Sequence, residues 1–157
     1  MIELCAVLDN IRSLYNVGSI FRTADGLGFK KIYLCGFTPG PISGRQKLQI
    51  HKTALGAEEF VKWEKANQTA RLIDALKKQG FYVLALELDK KAMDISKFKV
   101  KSSHKKIALV IGHETRGIAK RILKKCDQII QIPMIGKKES LNVSVAFGIA
   151  AFRLNNY

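Results

Sequence analysis

Apolar residues in this chain fall into short, nearly continuous runs separated by stretches with helical spacing. The runs at residues 2–8, 31–36, 81–88, 107–111 and 129–132 are rich in Val, Ile and Leu. Several show no alternation, which suits strands covered on both faces. Residues 18–28, 69–79, 118–125 and 142–155 read as helices. The apolar positions of the last, Val143, Phe147, Ile149, Ala150 and Phe152, exceed what one covered face requires, so a second surface or a central place in the core is expected. Strand and helix alternate, which predicts an α/β fold with a mostly parallel sheet and helices on both faces. Residues 58–63 are a candidate for one more strand. Residues 38–51, with two prolines and two glycines and no clear period, read as a loop.

The chain has 157 residues, a length that fits a single domain spanning 1–157, and no repeat or linker divides it. At 47% hydrophobic residues with 3 prolines, disorder is disfavoured, and the apolar runs are too short to span a bilayer. The chain opens on a strand-like run with no basic leader or cleavage site, so a cytoplasmic protein with no membrane attachment is expected. The 3 cysteines, Cys5, Cys35 and Cys126, lie far apart and read as buried thiols. The 3 histidines, His51, His104 and His113, offer no ligand spacing, and no metal is implied.

Charge adds the first functional clue. Twenty-seven Lys and Arg against 13 Asp and Glu leave a formal +14, and clusters such as Lys97 to Lys106 and Lys137-Lys138 would attract phosphates. A solvated lysine-rich surface explains the same numbers, and charge alone does not separate RNA from DNA. Arg45, Lys47 and His51 put cations on the 38–51 segment as well.

Three constellations sit where a strand gives way to a loop or helix, the region where open parallel sheets bind ligands. The first is Asp9-Asn10-Ile11-Arg12 followed by Asn16-Val17-Gly18-Ser19-Ile20-Phe21-Arg22. Asn16 suits a helix cap, Gly18 allows close backbone approach, and Arg22 carries a guanidinium toward the strand ends; a cap and a helical salt bridge would explain these residues equally. The second is Gly112-His113-Glu114-Thr115-Arg116-Gly117. It lacks the central glycine of GxGxxG and the GK[ST] ending of a P-loop, so nucleotide-triphosphate binding is disfavoured. Glu114 is either a capping acid for the following helix or a polar anchor of a site. The third is Ile132-Pro133-Met134, a Gly136-Lys137-Lys138-Glu139 loop, and Ser140-Leu141-Asn142-Val143-Ser144. There Ser140 reads as an N-cap, which leaves Ile-Pro-Met unexplained.

Taken together, Asn16-x-Gly-x-x-x-Arg22, Gly112-x-Glu114-x-x-Gly117 and Ile132-Pro133-Met134 with Ser140-Leu141-Asn142-Val143-Ser144 resemble the three signature motifs of the SpoU/TrmH family, in order and across nearly the whole chain. The resemblance implies an S-adenosyl-L-methionine-dependent RNA methyltransferase of the SPOUT class. Its target would be a ribose 2′-hydroxyl of tRNA or rRNA, and its assembly a homodimer. It implies that residues 112–157 form a deep trefoil knot, an exception among folds that no pattern in the sequence itself indicates. It implies that the cofactor is held by Gly112, Ile132, Met134 and Leu141, and that Arg22, Asn16, Glu114, Ser140 and Asn142 surround the reacting ribose. A guanidinium is a poor base, so Arg22 is assigned to stabilising the developing alkoxide and a nearby phosphate. Thr53-Ala54-Leu55-Gly56-Ala57-Glu58 resembles a further stretch near the family's cleft. Two other readings are disfavoured: a non-catalytic RNA-binding relative, because every matched polar position is filled, and a Rossmann-like oxidoreductase, because its glycine fingerprint and its acid are absent.

Overall fold

The computed structural model describes residues 2–155. Seven strands form one sheet in the order β3-β2-β1-β6-β4-β7-β5, and every paired neighbour runs parallel. The strands are β1 (Glu3–Asp9), β2 (Lys31–Cys35), β3 (Lys62–Ala66), β4 (Tyr82–Leu86), β5 (Met93–Asp94), β6 (Lys106–Gly112) and β7 (Gln128–Gln131). The helices are α1 (Leu14–Gly26), α2 (Gly44–Ala54), α3 (Ala57–Phe60), α4 (Thr69–Lys78), α5 (Lys120–Leu123) and α6 (Val143–Asn155).

The continuous apolar runs have the origin expected of them. Along β1, Leu4, Ala6 and Leu8 enter one core with Ile20, Phe21, Ile50 and Phe147, while Cys5 and Val7 enter a second with Ile73, Leu76 and Ile122. Helices α1, α2 and α6 therefore cover one face, and α4 and α5 the other. Successive residues of a strand point to opposite faces, and here both faces are dry. Across α6, Phe147 packs on Phe29 with ring centroids 5.3 Å apart.

Two expectations change. The segment 38–51 is a loop only to Ser43, and α2 follows it. Its prolines, Pro39 and Pro41, precede the helix, and only Ile50 and Ala54 are buried within it, too few to print a period. The segment 58–63 is split between α3 and the start of β3.

Helix α2 packs so closely on α1 that a Cβ on Gly18 would lie 2.1 Å from Thr53 Oγ1 and 2.3 Å from the Ile50 carbonyl oxygen. The small residue serves helix contact here. Among the described residues no helix is long and apolar enough to cross a membrane. Cys5 and Cys35 are buried and Cys126 is half-buried, all as free thiols, and no group of three His, Cys, Asp or Glu could hold a metal ion among the described residues.

The sheet order sets the site. Strands β1, β2 and β3 step outward in one direction, and β6, β4 and β7 lie on the other side of β1. At that reversal Asp9 of β1 stands in register with Gly112 of β6, at the carboxyl ends of the strands, the end at which open parallel sheets bind ligands.

Candidate active site

The three sequence motifs meet through a single relay of hydrogen bonds. Glu114 follows β6, and its carboxylate reaches the start of α1: Oε2 accepts from Arg12 N at 3.0 Å, Oε1 from Ser13 N at 2.9 Å and from Asn16 Nδ2 at 3.1 Å. The other end of that amide, Asn16 Oδ1, accepts from Asn142 Nδ2 at 3.1 Å. Asn142 Oδ1 then accepts from Ser144 N at 2.9 Å and Ser144 Oγ at 2.7 Å, closing the first turn of α6. A carboxylate only accepts, so it fixes the Asn16 amide, and the Asn16 amide fixes that of Asn142.

Three capping roles shift accordingly. Glu114 caps α1, far back in the chain, and its charge favours that helix's positive end. Ser13, whose hydroxyl accepts from Asn16 N at 3.2 Å, is the N-cap of α1; Asn16 lies inside the helix. At α6 the cap is Asn142, and Ser140 lies outside the helix in the preceding loop. Burial raises the Glu114 carboxyl pKa, but hydrogen bonds from Ser13 N and Arg12 N, followed by its own N–H and the Asn16 amide, outweigh burial and hold it below the usual glutamate value.

Beside the relay lies a pocket of about 290 Å³. Gly112 and Glu114 line it from β6 and its turn, Ile132 and Met134 from the segment after β7, and Ser140 and Leu141 from the loop before α6. Leu86 and Leu88, at the end of β4, add apolar wall. All four residues proposed to hold a cofactor thus share one pocket, with Glu114 and Ser140. Asn16 and Asn142 are joined to it by the relay and do not line it. Arg22 is exposed on the outer face of α1, outside the pocket lining.

The turn after β6 is tightly held. A Cβ on Gly112 would fall 2.7 Å from the backbone of Gly117 and Ile118, and Gly117 adopts a φ of +67°. The carboxylate of Glu87 accepts from Ile118 N at 2.7 Å and Leu88 N at 2.9 Å, so it ties the end of β4 to that turn while lining the pocket. Sequence reasoning passed over Glu87. The available signal was an acid interrupting the apolar run 81–88. His113 is not idle either: its Nδ1 accepts from Thr115 N at 3.1 Å and Arg116 N at 3.2 Å, which places its proton on Nε2.

The Thr53–Glu58 stretch braces α2 against α1. Thr53 Oγ1 donates to the Tyr15 carbonyl at 2.8 Å, and the buried Glu58 carboxylate meets Gly56 N at 3.0 Å and His51 Nδ1 at 2.6 Å.

The sequence profile of the SpoU rRNA Methylase family matches residues 3–152. The chain belongs to the SpoU rRNA methylase family. The reading from the three motifs is thereby borne out. Among curated relatives, a tRNA/rRNA methyltransferase of Borreliella burgdorferi, described as uncharacterized, is 34% identical over 148 residues, which is 94% of this chain and 61% of that protein. An AdoMet-bound rRNA methyltransferase from Sinorhizobium meliloti superposes with a TM-score of 0.86 at 30% identity, over 96% of this chain and 55% of that one. A protein solved for insight into the 2-OH methylation of C/U34 on tRNA superposes at 0.81 with 26% identity, over 96% of this chain and 92% of its own. The chain spans little more than half the length of the first two.

Proposed function

We propose that this SpoU family chain is an S-adenosyl-L-methionine-dependent methyltransferase acting on a ribose 2′-hydroxyl of tRNA or rRNA, as a knotted homodimer. The observation that carries the reading is the relay Glu114–Asn16–Asn142, which binds all three motifs together at the rim of one pocket. The solved AdoMet-bound and 2-OH-methylating relatives support it.

The pocket suits the cofactor chemically. Ile132, Met134, Leu141 and Leu86 offer apolar wall for a purine, and Glu87, Glu114 and Ser140 place polar groups among them. When bound, S-adenosyl-L-methionine would supply an activated methyl on a sulfonium. The chain's own task is then alignment, exclusion of water and handling of the hydroxyl proton. Asn16 and Asn142 tie the starts of α1 and α6 together beside the pocket. Glu114, already accepting three hydrogen bonds, is an anchor and a weak base.

Arg22 is assigned to the developing alkoxide, across a subunit boundary. Tyr15 and Arg22 are seven residues apart on α1 and share a face, and both are exposed. Val145, Ile149 and Phe152 of α6 are exposed as well. Pairing two copies through these faces would cover the apolar residues and bring Arg22 to the partner's pocket. The knot reading rests on membership of the SpoU family. We also propose the whole chain as one catalytic domain in the cytoplasm.

The test is calorimetry with S-adenosylmethionine and its demethylated product, followed by mapping of 2′-O-methylation in RNA from cells with and without the protein. Binding in the pocket and loss of specific 2′-O-methyl sites is the expected result. No binding of either compound rejects the proposal. Arg22→Lys should lower turnover at least tenfold with cofactor affinity unchanged; near-normal turnover would remove the guanidinium's special role.

A further inference from the structure

Phe37 is 55% exposed at the carboxyl end of β2, and its backbone is unusually constrained. Gly36 before it has a φ of +60°, and Asn10, opposite, has a φ of +58°. Asn10 Oδ1 accepts from Phe37 N at 3.1 Å, and Thr38 Oγ1 accepts from Ile11 N at 3.0 Å while its hydroxyl faces the Leu8 carbonyl at 2.9 Å. The turns after β1 and β2 are thus locked to one another, and the ring is displayed from a rigid base.

The ring meets His113 edge to face, with centroids 5.9 Å apart and planes at 80°. His113 lines the pocket, and its Nδ1 is engaged by Thr115 N and Arg116 N, which fixes its ring. Arg12 and Arg116 are both exposed nearby: Arg12 N is held by Glu114, next to His113, and Arg116 N by His113 itself. Neither guanidinium has an ion-pair partner among the described residues.

An open aromatic plane with a cationic rim complements an unpaired base and its phosphates: the ring offers a face to stack on, and the guanidinium groups neutralise the backbone. A protein partner fits less well. Gly36 and Thr38, which flank the ring in the chain, add no apolar area, unlike the Val145, Ile149 and Phe152 surface of α6.

We propose that Phe37, steadied by His113, is the stacking platform for an unpaired base adjacent to the nucleotide that enters the pocket. The inference rests on the RNA methyltransferase reading above and adds a residue outside the three motifs that selects single-stranded RNA.

The test compares fluorescence anisotropy of short oligoadenylate and oligouridylate of equal length on the wild type, Phe37→Ala and Phe37→Trp, with calorimetry of the demethylated cofactor alongside. Phosphates are the same in both probes, and adenine stacks more strongly than uracil. The wild type and Phe37→Trp should favour oligoadenylate. Phe37→Ala should lose roughly 5- to 150-fold on it, as expected for about 1–3 kcal/mol of stacking per base, keep its cofactor affinity, and keep the slope of log affinity against log salt. Equal wild-type affinity for the two probes overturns the platform, as does unchanged oligoadenylate binding in Phe37→Ala, which would point to a protein contact instead. Joint loss of RNA and cofactor binding in Phe37→Ala, with Phe37→Trp normal, also counts against it, by making the ring structural. A wild type that binds no cofactor rejects the proposed function; a wild type that binds cofactor and methylates RNA while Phe37→Ala behaves identically rejects the platform alone.

Discussion

Glu114 illustrates how one side chain can serve folding and site geometry together. It supplies the negative group at the start of α1 and orients Asn16, which orients Asn142. Glu114→Gln keeps the size and gives up one acceptor and the charge, so a loss of about 1–2 kcal/mol in urea denaturation is expected. Because the folded carboxyl titrates below its unfolded value near 4.5, its stabilisation is complete above that value and lost as pH falls through the folded pKa. The variant's stability should therefore fall less steeply below pH 4.5 than the wild type's. Asn142→Asp separates two roles: it retains an acceptor to cap α6 and removes the donor to Asn16. Stability near the wild-type level with turnover reduced at least tenfold is expected, measured by thermal melts and single-turnover methyl transfer. The thiols form a further residue-level case. Burial pushes Cys5 and Cys35 up to about 12, so at pH 8 iodoacetamide should label the native protein slowly and the urea-unfolded protein quickly. In the sequence, the pocket residues Gly112, Ile132, Met134 and Leu141 were legible only as members of motifs. Glu87 belongs to none, and the contact that defines it, with Ile118 N, depends on folding.

At the level of elements, β1, β2, β4 and β6 were legible because burial on both faces leaves a nearly continuous apolar run, β7 from its Ile129-Ile130 pair, and α4 because its apolar stripe is narrow. Helix α2 was hidden for the opposite reason: Leu48 is 67% exposed and only Ile50 and Ala54 are buried, a single i, i+4 pair that is too little to establish a helical period. Its docking on α1 is nonetheless tight. Gly18→Ala forces a methyl against the Ile50 carbonyl, part of the backbone, and should cost about 1–3 kcal/mol. Chemical denaturation of the variant checks this; a neutral or stabilising result would mean that α2 can shift freely. The same comparison explains why Asn16 was misread as a cap. Ser13 and Asn16 are both good capping residues, and the choice between them was made by Glu114, a residue distant in sequence.

For the whole molecule, the +14 charge and the proposed dimer govern behaviour in solution. RNA affinity should fall steeply with salt, as phosphate neutralisation requires. Under the homodimer reading, Ile149→Asp places a charge in the α1/α6 face and should yield monomers in sedimentation with weakened methyl transfer; an unchanged sedimentation coefficient would argue for another interface. The parallel, doubly covered sheet could be read from periodicity, whereas the proposed knot rests on the family resemblance alone, because threading leaves no mark on local patterning.

The place of β1 has a consequence for synthesis. It pairs β2 on one side and β6 on the other, so a nascent chain emerging from the ribosome carries an open strand edge until residue 112 and its neighbours have been translated. Such an edge is a template for pairing with other chains. Ribosome-bound fragments ending before β6 are thus the stage at which a chaperone has most to protect, and release of that protection should coincide with the arrival of β6.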